Sequence, residues 1–380
     1  MGTVLAVIAA LVLLEERARW FDFATETRPA LESVDRVSLA RAAQEVLDRA
    51  HATMGFGGCA LVALGGEIVF ERCYGPGHGE PPAADARFSI GSLWKAMVGL
   101  LVHRAVRAGR ARLDDPIVRH IPELAGAPCA HATLGQLLAH TSGLPYTIRL
   151  ATNLRLQLTD ARRSDADFLA EIAGYDLEFT PGGRFLYSNP GYGLLAIAVG
   201  RWANRPWPEV LERLFAEAGM NDTGFLGPRA GEVRGHLPLR CAVVAGRPCM
   251  LTLPQWNYSL LPGGGEFSTV RDLLAWDRAL DRWQKDDPAT MNDYLTPGPF
   301  EGYASGWGIE RRVTPNGGEV LVQAHSGEDP GHHSFIARIP EKDAFVVVLS
   351  NTDFTLAHAR FTLFTALVDA IVGRSYEVVR

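Results

Sequence analysis

Cysteine is scarce in this 380-residue chain, and its thiols are scattered. The five are Cys59, Cys73, Cys129, Cys241 and Cys249, an odd number with no Cys-x-x-Cys pair. This distribution argues against a structural metal site and against a fold held together by disulfides. One pairing stays open, because Cys241 and Cys249 flank a predicted hairpin turn and could face each other there.

Lysine is rarer still: Lys95, Lys285 and Lys342 are the three lysines, so nearly all of the positive charge is arginine. The formal net charge is -6 and the isoelectric point is near 6.0. An acidic balance without a basic run argues against nucleic-acid binding and against an anionic membrane surface as partner. The composition leaves the oligomeric state undetermined.

Long hydrophobic runs are missing apart from residues 3–14. This stretch has the length of a signal-peptide core and is too short to span a bilayer comfortably. No basic residue precedes it, and Glu15-Glu16-Arg17 follows it. Residues 1–34 are therefore predicted to be an apolar segment and linker, either a degenerate export signal or an N-terminal helix. The prediction leans slightly towards export to the periplasm and leaves a cytoplasmic location open; membrane contact is expected only through residues 3–14.

Several motifs that define enzyme classes are also missing. The chain has no Gly-x-Ser-x-Gly, which an α/β-hydrolase would carry, and no glycine-rich phosphate loop of the required spacing. His325, His332 and His333 stand without a carboxylate or cysteine at a metal-ligand spacing, and His-Glu-x-x-His does not occur. We therefore predict neither a metal nor a cofactor.

The most informative stretch that is present contains Ser92 and Lys95. The apolar residues that follow recur at helical spacing, so both side chains are predicted to share one face at a helix N-terminus. A serine hydroxyl becomes a nucleophile when a base removes its proton, and a lysine can do this if burial lowers its pKa. A chain that otherwise uses arginine places a deprotonatable amine here, which favours an acyl-transfer site over a chance Ser-x-x-Lys.

The order of predicted elements indicates an α+β fold. A helix whose N-cap is predicted at Ser38 and a hairpin around Gly65-Gly66 come first, a mainly helical middle follows, and short strands and a terminal helix end the chain. We predict an antiparallel sheet built from both chain ends and flanked by helices, with an all-helical insertion domain. The predicted boundaries are residues 35–87 plus 235–380 for the sheet domain and residues 88–234 for the helical domain, with the active site between them.

Two further groups of residues are candidates for the same site, and each has a structural alternative. Tyr187 could relay a proton or could be a core aromatic, and Asn189 could bind a substrate carbonyl or could cap the helix that Pro190 begins. His325-Ser326-Gly327 ends a predicted strand, whose backbone N–H groups could complete an oxyanion hole or could lie at an exposed strand end.

The ordered set of motifs resembles the β-lactamase-like serine hydrolases: class C β-lactamases, D-Ala-D-Ala carboxypeptidases and the esterases that share their fold. The resemblance extends over residues 57–349. Its landmarks include Phe88-Ser89-Ile90-Gly91-Ser92-Leu93-Trp94-Lys95, Leu113-Asp114-Asp115-Pro116, His140-Thr141-Ser142-Gly143-Leu144-Pro145, Tyr187-Ser188-Asn189-Pro190, Gly263-Gly264-Gly265-Glu266-Phe267-Ser268-Thr269 and His325-Ser326-Gly327.

The resemblance implies a role for each matching residue. Ser92 would be the acylated nucleophile, Lys95 would share its proton, and Tyr187 would be the general base and later the acid. Asn189 would bind the acyl side of the substrate, and the backbone N–H of Glu328 would complete the oxyanion hole with that of Ser92. His325 departs from the pattern, because β-lactamases carry a lysine there that anchors the substrate carboxylate.

Three functions remain open at this point. The leading hypothesis is a serine hydrolase that cleaves a small ester, amide or short peptide through an acyl-enzyme. The alternatives are an acyltransferase that uses the same intermediate, and a penicillin- or peptidoglycan-binding module that is acylated without turnover. Trp256 and Tyr258, in the loop 251–259, are predicted either to line an acyl pocket together with the loop 145–158 or to pack the loop itself.

Overall fold

The computed structural model describes residues 25–77, 79–146, 164–225, 233–244, 247–252, 265–300, 302–329, 331–353 and 357–379. The predictions for residues 3–14, for most of the loop 145–158 and for Trp256 and Tyr258 lie outside these ranges. Among the described residues, no helix is both long enough and apolar enough to cross a membrane.

The structure places helices and strands in the order that the sequence patterns indicate. The helices are α1 (Arg36–Met54), α2 (Trp94–Arg107), α3 (Leu134–Leu138), α4 (Asp165–Ala173), α5 (Asn189–Ala203), α6 (Trp207–Ala218), α7 (Val270–Asp286), α8 (Pro288–Leu295) and α9 (Ala357–Val372). The strands are β1 (Thr25–Arg28), β2 (Gly58–Leu64), β3 (Glu67–Tyr74), β4 (Phe88–Ser89), β5 (Gly224–Phe225), β6 (His236–Val244), β7 (Arg247–Thr252), β8 (Glu266–Ser268), β9 (Tyr303–Ala304), β10 (Trp307–Val313), β11 (Glu319–Asp329), β12 (His332–Ile339), β13 (Ala344–Ser350) and β14 (Tyr376–Val379).

A seven-stranded antiparallel sheet joins the two ends of the chain, in the order β3-β2-β13-β12-β11-β10-β9. Strand β2 pairs with β13 from Ala344 opposite Leu64 to Ser350 opposite Gly58. A second sheet, β4-β8-β5, is short and carries the segment that leads to Ser92. The predicted antiparallel sheet flanked by helices is confirmed, whereas the separate all-helical domain and the domain boundaries stay predictions.

The inner strand β13 is buried along its whole length, so both faces of the sheet are covered there. Phe345, Val347 and Leu349 belong to the core that contains α2, α5 and α7. The alternate residues Val346 and Val348 belong to the core that contains α1 and α9. Because strand side chains alternate between faces, one apolar strand supplies both cores.

The start of helix α1 differs by a few residues from the sequence prediction. Helix α1 begins at Arg36, and its N-cap is Asp35, whose carboxylate accepts from the backbone N–H groups of Val37 and Ser38 at 2.9 Å. Ser38 is therefore a residue of the first turn and not the cap. An aspartate three residues before the predicted cap accepts hydrogen bonds from free backbone N–H groups of the first turn, as a serine cap would.

A disulfide joins Cys59 on β2 to Cys73 on β3, a pairing that the sequence patterns did not indicate. The two residues are direct partners across the hairpin. Cys129 is a buried free thiol. Strands β6 and β7 pair as the predicted hairpin, with Val244 opposite Arg247. The side chains of Cys241 and Cys249 lie outside the described part of the structure.

Candidate active site

Ser92 lies in a single 3₁₀ turn, Gly91–Leu93, between strand β4 and helix α2. Gly91 has a φ of 48°, in the left-handed region that glycine adopts without strain. A Cβ atom on Gly91 would stand 2.6 Å from the backbone nitrogen of Glu328, so the turn is pressed against the end of β11. The sequence thus delivers the Ser92 hydroxyl to the tip of a buried helix.

Lys95 points back at this hydroxyl from the first turn of α2. Its Nζ donates a hydrogen bond to the Oγ of Ser92 at 2.8 Å, and the residue is only 1% exposed. Burial lowers the pKa of the Lys95 amine to about 7, while the carboxyls of Glu266 and Asp329 act in the opposite direction. The predicted pairing of a serine with a deprotonatable amine is therefore present in the geometry.

Tyr187 approaches Ser92 from the segment that precedes α5. Its ring lies 5.0 Å from the Lys95 Nζ. Burial raises the pKa of the Tyr187 phenol well above its ordinary range, so the phenol keeps its proton at neutral pH, and the Ser92 side chain is close enough to lower that pKa in part. The ring of His140 holds Tyr187 in place at 4.1 Å between ring centroids.

Ser188, and not Asn189, caps helix α5. The Ser188 Oγ accepts from the backbone N–H of Gly191 at 3.1 Å, and the helix begins at Asn189 with Pro190 in its first turn. The backbone N–H of Asn189 donates to the carbonyl of Tyr146 at 3.0 Å. The capping alternative for Asn189 is therefore wrong, and its amide is not needed at the helix start.

The imidazole ring of His325 is held by a hydrogen bond at each of its two nitrogens. Its Nδ1 lies 2.6 Å from the carbonyl oxygen of Ser326, and its Nε2 lies 3.1 Å from the hydroxyl of Tyr303. The carbonyl can only accept, so Nδ1 carries the proton and Nε2 accepts from Tyr303. Burial, together with the nearby Lys95, lowers the pKa of His325 to about 3, so the ring is neutral.

Ser326, Gly327 and Glu328 lie on β11, where it passes the Ser92 turn. Each is paired with β12, and Gly327 is opposite Ser334. A Cβ atom on Gly327 would stand 2.1 Å from the carbonyl oxygen of Ile90 and 2.9 Å from the backbone nitrogen of Ser92. The backbone of β11 therefore approaches the Ser92 turn as closely as an oxyanion hole shared by the two segments needs, although that role stays a prediction.

Sequence reasoning assigned no role to four side chains of this region: His140, Glu266, Tyr303 and Asp329. His140 and Glu266 each lie in a motif that carries the family resemblance, but the sequence patterns assigned no role to their side chains. Tyr303 and Asp329 carried no signal of their own, because the pairing of β9, β10 and β11 brings them to the site. Among the described residues, no group of three His, Cys, Asp or Glu side chains is arranged to hold a metal ion.

Comparison with known proteins places this geometry in context. The model of the Beta-lactamase family matches residues 43–368. The D-alanyl-D-alanine-carboxypeptidase/endopeptidase AmpH of Escherichia coli K12 is 27% identical over 337 residues, which are 80% of this chain and 84% of AmpH. The esterase EstB of Burkholderia gladioli is 34% identical over 214 residues, which are 52% of this chain and 54% of EstB.

Solved structures show the same fold. A class C β-lactamase superposes with a TM-score of 0.72 at 18% sequence identity, and the superposition covers 90% of this chain and 98% of that enzyme. At this identity the likeness concerns the fold alone.

Proposed function

This chain belongs to the Beta-lactamase family and is a serine hydrolase of that family, and we propose that it cleaves a small ester, amide or short peptide through an acyl-enzyme on Ser92. The observation that carries the proposal is the 2.8 Å hydrogen bond between the buried Lys95 amine and the Ser92 hydroxyl. An amine whose pKa is about 7 is half deprotonated at neutral pH and can accept the serine proton.

Lys95 is the group that takes this proton in our proposal. As the Ser92 oxygen attacks the substrate carbonyl, its O–H bond breaks and an N–H bond forms on Lys95. The phenol of Tyr187 tends to keep its proton, because burial raises its pKa. Tyr187 therefore remains protonated until it donates its proton to the leaving group, and the Lys95 ammonium then returns its proton to the Tyr187 phenolate. This assignment differs from the one that the resemblance implies, in which Tyr187 is the base.

The remaining candidates bind rather than transfer protons. The backbone N–H groups of Ser92 and Glu328 are proposed to hold the oxyanion, supported by the close approach of β11 to the Gly91–Leu93 turn. The Asn189 amide is proposed to bind the acyl side of the substrate. Water then attacks the acyl-enzyme with the same amine as base, and Ser92 is regenerated.

The neutral His325 narrows the proposed substrate class. A ring whose Nδ1 and Nε2 are both hydrogen-bonded, with a pKa of about 3, offers no positive charge to a substrate carboxylate. We therefore propose uncharged esters and amides as better substrates than β-lactams or peptides that end in a free carboxylate near the scissile bond. The similarity to a peptidase and to an esterase does not decide between uncharged substrates and substrates with a free carboxylate.

Covalent labelling tests the nucleophile directly. A fluorophosphonate probe should add one label to the wild-type chain, and Ser92→Ala should abolish both the label and the hydrolysis of short-chain nitrophenyl esters. Ser33→Ala, at an exposed serine, is the matched control and should leave both unchanged. Full ester hydrolysis by Ser92→Ala would show that the proposal is wrong.

A substrate panel then separates the three functions. We expect turnover of esters or D-amino amides with release of free acid. Transfer products in the presence of added alcohols or amines would indicate an acyltransferase. A stable covalent adduct with penicillin, seen by intact mass without product accumulation, would indicate a binding module.

A further inference from the structure

His140 follows the end of helix α3 in a backbone conformation that favours glycine. Its N–H donates to the carbonyl of Leu137 at 3.3 Å, and the next N–H along the chain donates to the carbonyl of Gln136 at 2.8 Å. This pair of hydrogen bonds is typical of a helix that ends in a left-handed residue. His140 is that residue, with a φ of 55°. Glycine adopts this conformation without strain and histidine does not, so the imidazole at this position calls for a reason.

The imidazole ring is fully buried, and only one of its nitrogens has a partner among the described residues. Nδ1 accepts a hydrogen bond from the backbone N–H of Ser188 at 3.0 Å, so the ring proton is on Nε2. Burial keeps the pKa of His140 well below its ordinary range, which leaves the ring neutral. A phenylalanine would fill the same space without an unpartnered N–H. The acceptor that Nδ1 supplies therefore distinguishes histidine from a purely apolar ring here.

Two hydrogen bonds to His140 come from the residues on either side of Tyr187. The backbone N–H of Leu186 donates to the His140 carbonyl at 2.8 Å, and that of Ser188 donates to the ring. Residues 185–188 belong to neither a helix nor a strand, so regular hydrogen bonding does not fix their position. The imidazole also lies against the ring of Tyr187, with 4.1 Å between centroids and 31° between planes. One residue therefore contacts the chain before Tyr187, the chain after it and its ring.

Two further tyrosines pack against the imidazole. The rings of Tyr192 and Tyr303 lie 5.0 and 4.6 Å from that of His140. The Tyr192 hydroxyl donates to the carbonyl of Leu138 at 2.9 Å, which ties α5 to the last residue of α3. The imidazole is thus held in place by elements other than the segment that it supports, as a residue that fixes the position of Tyr187 must be.

We propose that His140 is the positioning residue for the Tyr187 phenol: its carbonyl, its Nδ1 and its ring face together hold the phenol in place beside Lys95. His140 acts through Tyr187 and transfers no proton itself. The inference rests on the proposed function, in which Tyr187 donates a proton to the leaving group. Misplacing a catalytic group by about 1 Å costs about 100-fold in rate, so we expect the loss of these contacts to lower kcat and to leave KM nearly unchanged.

A double-mutant cycle on kcat tests whether His140 acts through Tyr187. His140→Ala removes the ring and its acceptor, and we expect it to lower kcat on a nitrophenyl ester about 10–100-fold. In a Tyr187→Phe background, where the phenol is already gone, the same change should lower kcat less than about threefold. His140→Asn should keep more activity than His140→Ala, because its Oδ1 can take the place of Nδ1 and asparagine tolerates a positive φ.

His103→Ala is the matched control, because it removes a second buried histidine, one that contacts Ser305 and Tyr294. Its effect on kcat should be the same in both backgrounds. Equal losses from His140→Ala in the two backgrounds would overturn the inference, as would a loss confined to KM. A His140→Asn variant no more active than His140→Ala would refute the role of Nδ1.

Two measurements cover the case in which His140→Ala does not fold. His140→Asn then replaces it in the cycle, with the same criteria. In wild-type protein labelled with ¹⁵N in histidine, Nδ1 of His140 should carry no proton and should couple to the Ser188 amide; a proton on Nδ1 would overturn the inference. Fluorophosphonate labelling separates the two proposals: a wild type that is not labelled on Ser92 refutes the proposed function, whereas normal labelling with equal losses in the cycle refutes only the positioning role.

Discussion

Replacing Lys95 by methionine should make the protein more stable and inactive. The pKa of the Lys95 amine falls from its ordinary 10.5 to about 7 in the folded chain. This difference means that folding at pH 7 costs about 4 kcal/mol at this one residue. Methionine has a similar length and no charge, so Lys95→Met removes the cost. We expect a net gain of about 2–4 kcal/mol, because the change also removes the cation that faces Glu266 and Asp329.

The direction in which stability changes with pH also follows from this pKa. The folded-state pKa lies below the unfolded-state value, so between pH 7 and 10.5 the unfolded chain binds a proton that the folded chain lacks. The cost of burying Lys95 is therefore fully present below pH 7 and disappears as the pH rises to 10.5. The advantage of Lys95→Met should be largest at pH 7 and should shrink towards zero over this interval.

Urea unfolding followed by tryptophan fluorescence at pH 7 and at pH 9.5 measures both effects. Lys285→Met, at an exposed lysine of α7, is the control and should change the free energy of unfolding by less than about 0.5 kcal/mol at either pH. A Lys95→Met variant no more stable than the wild type at pH 7 would refute the argument, as would a stability gain that is the same at both pH values.

Three further predictions concern single contacts. Tyr187→Phe should lower kcat on a nitrophenyl ester about 10²–10⁴-fold without changing the melting temperature, and an unchanged kcat would exclude the phenol as proton donor. Gly327→Ala should lower both the melting temperature and the activity, because its Cβ atom would lie 2.1 Å from a backbone oxygen. Gly174→Ala, at a helix end where the nearest atom is 3.6 Å away, is the control and should be tolerated. Equal effects of the two changes would contradict the close approach of β11 to the Ser92 turn. Reduction by dithiothreitol should add two titratable thiols. It should also lower the free energy of unfolding by about 3 kcal/mol, because the disulfide closes a loop between Cys59 and Cys73, which are 14 residues apart. A reduced protein as stable as the oxidised one would contradict a stabilising role of the disulfide.

The sequence predicts the part of the site that depends on local spacing. Ser92 and Lys95 are three residues apart, and an apolar helical repeat behind them is enough to put both side chains on one face. Glu266 and Asp329 could not be predicted in the same way, because they come from strands far apart in the chain. A single glutamate after three glycines is typical of a surface loop, and only the packing of β8 against the Ser92 turn makes it a buried residue.

The missed disulfide has an equally specific cause. Counting outward from the turn, Leu64 is opposite Glu67, and a regular hairpin would put Arg72 opposite Cys59. A bulge between Val62 and Ala63 shifts the register by one residue and brings Cys73 into that place. Register beyond a bulge depends on packing against the rest of the sheet, which no local pattern records.

Lys95, Glu266 and Asp329 make sense only as a set. Removing a charge from water is costly, and the electrostatic interaction of the Lys95 cation with the two carboxyls returns part of that cost. Removing the lysine leaves the carboxyls without their partner, and neutralising both carboxyls leaves the lysine without its own. The combined Lys95→Met/Glu266→Gln/Asp329→Asn variant should therefore be more stable than the sum of the separately measured changes predicts, because the combined variant loses the returned part once and the sum counts its loss twice. A stability that equals the simple sum would mean that these groups, although neighbours, do not interact.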